Sequence, residues 1–252
     1  MVELKSPSEI EKMRRSNRIV GEILAGVKDA VKPGVTTSEL NQLAERYIEK
    51  LGCRSAFKNY RVGDAVYPAA LCTSVNEEVV HGIPSDRELE EGDILSLDFG
   101  VEHEGYYGDS ALTVAVGSVD EESGRLLSVA ERCLYEGIEH LRCDQRVGDV
   151  GSAVQVLAEG EGFAVVRDFV GHGIGRTLHE EPQIPNFGSR GKGRKLRVGM
   201  VVALEPMINA GEGSVRVKDD GWTAITSDGS RSAHFEHTVA ITGDGPDILS
   251  KV

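Results

Sequence analysis

The sequence lacks the features that mark several classes of protein. No run of 18 apolar residues occurs among its 252 residues, so no transmembrane helix is expected. The segment from Met1 to Arg15 has no apolar core and is unlike a secretory signal. The four cysteines show no C-x-x-C pair and no zinc-ribbon spacing, which favours reduced thiols over a disulfide framework. These absences predict a cytoplasmic protein that does not enter a membrane.

Positive charge is also scarce. The chain has 28 lysines and arginines against 41 aspartates and glutamates, a formal net charge of -13. This balance argues against DNA or a membrane surface as a partner. A basic run at residues 190–197 stands out against it, and such a run is usually a solvated turn.

Helix signals occur in two pairs. Ser6-Pro7-Ser8-Glu9 combines an N-cap serine, a proline at the first helical position and a glutamate at N3, and apolar residues at helical spacing follow until Pro33. The capping box Thr36-x-x-Glu39 begins a second helix, which Gly52 ends. Two further helices are predicted at 121–142 and 149–161.

Strand-like segments follow each helix pair. Hairpins such as 98–117 imply antiparallel pairing, so an α+β fold fits better than a wound parallel sheet. The repeated order predicts a single catalytic domain, residues 1–252, with two related halves at about 1–118 and 119–252; chance similarity of two helix pairs is the alternative. The predicted strands are 69–75, 93–101, 111–116, 163–170, 200–209, 214–218, 222–225 and 234–241.

Five residues have the chemistry of a metal site: Asp98, Asp109, His172, Glu205 and Glu236. Each ends an apolar run or lies beside glycines, where a side chain can point into a cleft. Four carboxylates and one imidazole carry too much negative charge to crowd together without cations. Together they predict two divalent ions that share oxygen ligands, an arrangement that activates water for hydrolysis.

Each of the five residues could also have a structural role that involves no metal. An aspartate at a strand end is usually a turn or cap residue, and a histidine in a glycine-rich loop, as we predict for His172, is usually solvated. Asp98 and Asp109 are 11 positions apart and flank a hairpin, so we expect both carboxylates on one face. Glu205 and Glu236 belong to apolar segments, where a glutamate needs a partner or a site.

As a set, the motifs around these residues resemble those of methionine aminopeptidases. That family has the pita-bread (creatinase/aminopeptidase) fold, a pseudo-twofold α+β domain with an antiparallel sheet and helices packed on the outside. The 31 positions between Glu205 and Glu236 are similar to the spacing in type I, bacterial-style enzymes without an N-terminal extension. The motifs are Val80-His81-Gly82-Ile83-Pro84, Leu97-Asp98-Phe99-Gly100, Gly108-Asp109-Ser110, Gly171-His172-Gly173-Ile174-Gly175, His179-Glu180-Glu181-Pro182, Leu204-Glu205-Pro206-Met207 and Phe235-Glu236-His237-Thr238.

The resemblance implies a division of the ligands between two ions. Asp98 and Asp109 would hold one ion, and His172 and Glu205 would hold the other. Asp109 and Glu236 would bridge the two. The ions would be cobalt, manganese, iron or zinc, whose identity the sequence leaves open.

The resemblance also implies catalytic roles for Glu205 and for two histidines that do not ligate metal. Glu205 would carry a proton from the attacking water to the leaving amine. His179 would help to polarise the scissile carbonyl, and His81 would hydrogen-bond near the nitrogen of the departing residue.

A pocket for the methionine side chain is implied as well, lined by aromatic and sulfur-bearing residues. Two departures from the family concern its shape. Leu178 stands where phenylalanine is common, and the stretch Lys58–Val66 is longer than the usual tight turn. The pocket residues implied are Phe57, Tyr60, Tyr67, Cys72 and Trp222.

The implied activity is hydrolysis of the N-terminal methionine from nascent polypeptides, with a preference for a small second residue. The basic run at 190–197 is a candidate contact for ribosomal RNA, and a monomer is the expected state. Two alternatives stay open at this point. One is an X-Pro aminopeptidase or dipeptidase of the same fold, and the other is a non-enzymatic binding protein of that fold.

Overall fold

The computed structural model of the chain describes residues 2–251. Within them lie four α-helices and 17 β-strands, and two helices precede each group of strands. No helix in this part of the chain is long and apolar enough to cross a membrane. The helices are α1 (Pro7–Lys28), α2 (Thr37–Leu51), α3 (Glu121–Glu139) and α4 (Val147–Gly160).

Most of the strands are short, and only β6 and β7 reach ten residues. Those of the first half are β1 (Arg54–Ser55), β2 (Arg61–Val62), β3 (Ala65–Val66), β4 (Cys72–Val75), β5 (Glu78–Val80), β6 (Ile94–His103) and β7 (Tyr106–Ala115). Those of the second half are β8 (Ala164–Val165), β9 (Gly171–Gly173), β10 (Glu180–Ile184), β11 (Val201–Leu204), β12 (Met207–Asn209), β13 (Val215–Val217), β14 (Ala224–Thr226), β15 (Ser232–His234), β16 (Glu236–Thr242) and β17 (Gly245–Ile248).

Both predicted capping boxes are present at the start of the first two helices. The Ser6 side chain accepts from the Glu9 backbone, and the Glu9 carboxylate accepts from the Ser6 backbone. Thr36 and Glu39 make the same reciprocal pair. These bonds satisfy N–H groups that have no partner inside the helix, so the two starts were predictable from sequence.

Three predicted helix bounds were wrong, one of them the end of α3, which is at Glu139 rather than 142. α1 ends at Lys28 rather than near Pro33, because the N–H groups of Ala30 and Val31 bond to carbonyls three residues back, in a tight turn before the proline. α4 begins two residues before Asp149. There Asp149 is the N3 residue, and its carboxylate accepts from the Arg146 backbone N–H at 2.7 Å.

Nine strands form the main sheet, in which every pairing is antiparallel. Its central path runs β1-β6-β7-β16-β11-β9-β10, with β4 also on β6 and β17 also on β16. The sheet therefore joins strands of both halves, at the pairing of β7 with β16. This confirms the predicted α+β class with antiparallel pairing. The assignment of both halves to one catalytic domain stays a prediction.

Several strand predictions need correction. The predicted strand 200–209 is two strands, because Pro206 lacks the N–H that would continue the ladder. The predicted strand 234–241 also divides, at Phe235, where the chain passes from β15 on a small sheet to β16 on the main one. Of the predicted strand 163–170 only β8 is present.

The two faces of the main sheet differ in chemistry. Alternate apolar side chains of β6, among them Leu97 and Phe99, pack in one cluster with α1 and α2. On β11 and β16 the alternate residues Leu204 and Val239 pack in a second cluster with α3 and α4. Since successive strand residues face opposite ways, the intervening positions face away from the helices. Those positions include Asp98 and Glu236.

Candidate metal centre and cleft

The register of the sheet explains why residues far apart in sequence meet. Asp98 on β6 lies opposite Ala111 on β7, and Ala111 lies opposite Glu236 on β16. This row also includes Cys72, which pairs with Asp98 from β4. One row therefore brings strands of both halves, and two carboxylates, to the same face.

A second row runs beside the first, two residues along each strand. Asp109 lies opposite Gly100 and exchanges hydrogen bonds with Thr238, whose Oγ1 donates to the Asp109 carbonyl at 2.7 Å. Thr238 lies opposite Ala203, and Ala203 lies opposite His172. Residues two apart on a strand share a face, so the second row places Asp109 and His172 beside Glu236.

The prediction that Asp98 and Asp109 share a face is confirmed by this register. Asp109 lies inside β7, whose start was predicted too late at 111. Gly100 faces the same side between them. A Cβ there would lie 3.0 Å from the Phe57 ring and 3.1 Å from the Asp109 carboxylate. The glycine therefore leaves room for both side chains.

The prediction that His172 lies in a loop was wrong, because it is the central residue of strand β9. A Cβ on Gly171 would overlap the carbonyl oxygen of Ala203, and one on Gly173 would overlap that of Glu181. Glycine on both sides thus lets β9 fit tightly between β11 and β10, with the imidazole on the face of the carboxylates.

The imidazole of His172 is oriented by its own strand. Its Nδ1 lies 2.9 Å from the carbonyl oxygen of Gly173, which can only accept, so Nδ1 carries the proton. The other nitrogen, Nε2, is left with a free lone pair. It lies 3.4 Å from Oε1 of Glu205 and 4.0 Å from Oδ2 of Asp109. A backbone bond of this kind is the usual support of a metal-binding histidine.

Glu205 follows β11 directly, at the point where Pro206 ends the strand. The buried side chain of Asn186 donates to the Glu205 carbonyl oxygen at 2.9 Å. Sequence reasoning missed Asn186, because nothing in its local pattern distinguishes it from a loop asparagine. It fixes the backbone of an acidic residue in the cleft.

The carboxylates are buried without partners of their own. Oδ1 of Asp98, Oδ1 of Asp109 and Oε1 of Glu236 have no hydrogen bond with the described residues. Burial raises the pKa of Asp98 to about 7. Burial and then neighbouring carboxylates raise the pKa values of Asp109, Glu205 and Glu236 well above the usual range. Such a cluster is unfavourable unless protons or cations neutralise it.

The donor set fits divalent cations. Ligand atoms of Asp109, His172 and Glu236 all lie within 4.8 Å of one another, and all three residues are buried. Burial lowers the pKa of His172 to about 3, so the imidazole is neutral and able to ligate. Carboxylate oxygens with one imidazole suit manganese, iron, cobalt or zinc.

A cleft of about 620 Å³ opens over this cluster. It holds the five acidic and imidazole candidates, both further histidines and all five residues of the implied methionine pocket. The predicted site residues that line it are Phe57, Tyr60, Tyr67, Cys72, His81, Asp98, Asp109, His172, His179, Glu205, Trp222 and Glu236.

The two further histidines stand on different parts of the cleft wall. His81 follows β5 with a φ of 60° and is edge-on to Phe169, with ring centroids 5.4 Å apart. Burial lowers the pKa of His81 to about 4. The ring of His179 lies 4.4 Å from that of His172. Phe169, which sequence reasoning missed, has no motif of its own.

The apolar part of the cleft has a rigid wall. The Tyr67 hydroxyl donates to the carbonyl oxygen of Gly82 at 2.9 Å. The Tyr67 ring is edge-on to that of Trp222, with ring centroids 5.2 Å apart. Leu178 is buried in the same wall. The long stretch Lys58–Val66 folds as the hairpin of β2 and β3, which brings Tyr60 to the cleft.

Comparison with known proteins agrees with this geometry. A model of metallopeptidase family M24 matches residues 11–243. A methionine aminopeptidase from Clostridium perfringens is 48% identical, with both chains covered completely. The crystal structure of a methionine aminopeptidase from Thermotoga maritima has a TM-score of 0.96 and 47% identity, again over all of both chains. The chain belongs to metallopeptidase family M24 and, within that family, to the methionine aminopeptidases.

A more distant comparison concerns the fold alone. An Xaa-Pro dipeptidase from Bacillus anthracis has a TM-score of 0.76 at 20% identity, over 99% of this chain and 62% of its own. The architecture is therefore the pita-bread fold, as the resemblance implied. Membership of a metallopeptidase family also implies a divalent metal, which agrees with the donor set above.

Proposed function

We propose that the chain is a methionyl aminopeptidase that hydrolyses the N-terminal methionine from proteins and peptides. The observation that carries this proposal is that five acidic and imidazole side chains line one cleft beside an apolar pocket, and that ligand atoms of three of them lie within 4.8 Å of one another. The relatives named methionine aminopeptidase, which match the whole chain, support the same activity.

In this proposal the five residues hold two divalent ions. Asp98 and Asp109 would hold one ion, His172 and Glu205 would hold the other, and Asp109 and Glu236 would contact both. The buried, unpartnered oxygens of Asp98, Asp109 and Glu236 support this assignment. When bound, such ions lower the pKa of water from 15.7 to about 7 and act as Lewis acids on a carbonyl. Cobalt, manganese, iron and zinc are all suited to the donors.

The chain's own residues move protons and orient the substrate. Glu205 takes the proton of the attacking water and delivers it to the leaving amine. His179 donates a hydrogen bond to the carbonyl oxygen as negative charge develops there. His81, held edge-on to Phe169, hydrogen-bonds near the nitrogen of the departing residue.

The pocket is suited to a methionine side chain. Tyr67, Trp222 and Phe57 offer aromatic surface, and the buried thiol of Cys72 offers a polarizable atom. A flexible thioether packs well against rings and sulfur. Leu178 makes one wall aliphatic, which leaves the volume available to a linear side chain. We expect a small residue after the methionine, as in the family.

The type I form is also part of the proposal. Residues 205–236 contain the short strands β12 to β15 and no helix, so the segment has no helical insertion. We further propose nascent polypeptide N-termini as substrates, a cytoplasmic location and a monomeric state. The run at 190–197 includes an exposed turn, which supports a contact with ribosomal RNA without requiring one.

A peptide panel tests the proposal. Purified protein, with each divalent metal supplied in turn, is assayed on Met-Ala-Ser, Leu-Ala-Ser and Ala-Pro peptides by chromatography of the products. We expect cleavage of Met-Ala-Ser alone. Cleavage of Ala-Pro in its place would establish the X-Pro alternative, which rests on fold likeness only. No cleavage with any metal would support the binding-protein alternative.

A further inference from the structure

We propose that Tyr60 is a positioning residue for His179: its hydroxyl donates a hydrogen bond to Nδ1 of the imidazole and so keeps the ring proton on Nε2. The inference rests on the proposed function, in which His179 donates to the substrate's carbonyl oxygen. Sequence reasoning assigned Tyr60 only to the wall of the methionine pocket.

The contact between the two side chains is close and well oriented. The Tyr60 hydroxyl oxygen lies 2.6 Å from Nδ1 of His179, and the rings meet edge to face with centroids 5.3 Å apart. The hydroxyl has no other hydrogen-bond partner in residues 2–251. A phenol has one proton to donate, and a neutral imidazole that accepts at Nδ1 must carry its proton on Nε2.

Tyr60 is held in place from the base of its hairpin. The Tyr67 backbone N–H donates to the Tyr60 carbonyl at 2.9 Å, and the Asn59 N–H donates to the Tyr67 carbonyl at 2.9 Å. Tyr67 is itself anchored, because its hydroxyl donates to Gly82. The additional residues of the long stretch form β2, β3 and their turn beyond this pair. Lengthening the hairpin therefore leaves Tyr60 fixed at the cleft.

His179 is held from the opposite side. One carboxylate oxygen of Glu180 accepts from the backbone N–H of Arg176 at 2.7 Å and of Thr177 at 3.2 Å. The other oxygen pairs at 2.7 Å with the buried ammonium of Lys5. These bonds fix the backbone before His179. The imidazole is then left to rotate about its own bonds, and the Tyr60 hydroxyl selects one orientation and one tautomer.

The variant Tyr60→Phe distinguishes a hydrogen bond to His179 from simple packing in the pocket wall, because it keeps the ring and removes the hydroxyl. Loss of one oxyanion donor typically slows catalysis by about 10²–10³-fold. A donor that is present but less well oriented should therefore slow catalysis by a smaller factor. For Met-Ala-Ser we expect kcat to fall about 10-fold with KM changed less than about 2-fold. Tyr107→Phe is the matched control, because this half-buried tyrosine of the same cluster makes no side-chain hydrogen bond with the described chain. It should leave both constants unchanged.

A double-mutant cycle tests whether Tyr60 acts through His179. In a His179→Ala background the further change Tyr60→Phe should have no effect on kcat, because the acceptor is gone. Multiplicative losses in the double variant would overturn the proposal. An unchanged kcat in Tyr60→Phe alone would overturn it as well, provided that His179→Ala lowers kcat.

Nitrogen NMR of the full chain, loaded with diamagnetic zinc, gives a readout that does not depend on turnover. The His179 ring resonances are assigned by their loss in His179→Ala. We expect an unprotonated Nδ1 and a protonated Nε2 in the wild type, and a mixture of tautomers in Tyr60→Phe. A proton on Nδ1 in the wild type would overturn the proposal. Absence of methionine release by the wild type would instead count against the proposed function, while the tautomer would still be measured.

Discussion

The two halves of the chain supply the residues of the proposed metal centre by different structural means. The first half contributes Asp98 and Asp109 from a single regular hairpin of two ten-residue strands. The second half contributes His172 from a strand of three residues between tight neighbours, Glu205 from the break after a strand of four, and Glu236 from the start of a strand of seven. The hairpin ligands depend mainly on register, with Gly100 leaving room beside Asp109, whereas His172 and Glu205 depend on glycines and a proline at particular places. The second half should therefore tolerate substitution less well.

Glu236 links the two halves, and its loss should have the largest effect. It lies opposite Ala111 of the hairpin and belongs to the same close group as Asp109 and His172. We expect Glu236→Ala to abolish metal binding and to lower kcat/KM for Met-Ala-Ser by about 10³-fold or more. His172→Ala should have the same consequence. Elemental analysis and peptide assay are the measurements.

A carboxylate on helix α3, away from the cleft, serves as the control for loss of a negative charge anywhere in the chain. Glu131 is exposed on α3, so Glu131→Gln should leave both metal content and activity unchanged. Full turnover by either Glu236→Ala or His172→Ala would contradict the ligand assignment.

Removal of metal should change the pH dependence of stability in a defined direction. The folded-state pKa of Asp98 is raised to about 7, above its value of 3.8 in an unperturbed chain, and those of its neighbours are raised too. A carboxyl with a raised pKa contributes stability below its unfolded pKa, and this contribution is lost as pH rises through the folded pKa. In metal-free protein these carboxyls should therefore lower the stability between about pH 4 and pH 7, by up to about 1.4 kcal/mol per pH unit for each of them. Burial lowers the pKa values of His81, His172, His234 and His237, which adds stability over the same range, so the carboxyl effect is measured as the difference between metal-free and metal-bound protein.

Thermal unfolding in a chelator and in manganese, across that pH range, measures this effect. Bound metal should remove the contribution of these carboxyls to the pH dependence and raise Tm, because it binds the ionised carboxylates of the folded state. Equal pH profiles with and without metal would show that the carboxylates are not neutralised by a cation.

The glycines provide a direct comparison of the two halves. Gly171→Ala should destabilise the fold by about 1–3 kcal/mol, because its Cβ would overlap the Ala203 carbonyl oxygen on a backbone that cannot move away. Gly100→Ala on the hairpin should have a smaller effect, since its contacts begin at 3.0 Å and include the Phe57 ring. Denaturant unfolding of both variants makes the comparison.

Gly124→Ala is the control for these two variants. Gly124 lies within α3, and no atom of residues 2–251 outside its own helical surroundings comes within 4 Å of the place that a methyl group would take. Alanine there should be neutral or stabilise by up to about 1 kcal/mol. If Gly100→Ala proved more damaging than Gly171→Ala, the contrast between the halves would be wrong.

Asn186 gives the smallest expected effect. Asn186→Leu removes the hydrogen bond to the Glu205 carbonyl, and we expect a loss of about 1 kcal/mol of stability. We also expect kcat to fall several-fold, because the backbone that carries Glu205 is less well held. Unfolding and steady-state kinetics measure the two quantities. A kcat equal to that of the wild type would show that the strand break after Leu204 positions Glu205 without this bond.

The difference between the regular hairpin of the first half and the short strands of the second half also explains which site residues could be placed from sequence. Asp98 and Asp109 were placed on one face because the hairpin signal is local and its register has a period of two. The strand that carries His172 was mistaken for a loop, because glycines signal turns in sequence but here allow close contact between strands. That contact depends on carbonyls of residues far along the chain. No local pattern encodes it.

The pocket residues show the same difference between local sequence patterns and contacts that only the fold creates. Trp222 and Tyr67 were identified through motifs, whereas Phe169 and Asn186 were missed because only the folded chain brings them to the cleft. The long stretch Lys58–Val66 contains Tyr60 and separates Phe57 from the other implied pocket residues in sequence. The backbone pair between Tyr60 and Tyr67, which keeps the hairpin in register, resolves their positions.

The most direct test of the central claim is the metal content of the purified chain measured together with methionine release. The account predicts about two divalent ions per chain, loss of Met-Ala-Ser hydrolysis on chelation, and recovery when the same metal is returned. Both the ions and the activity should be absent in His172→Ala from one half and strongly reduced in Asp98→Asn from the other. Undiminished methionine release by chelated protein, or by either variant, would contradict a shared dimetal centre built from both halves.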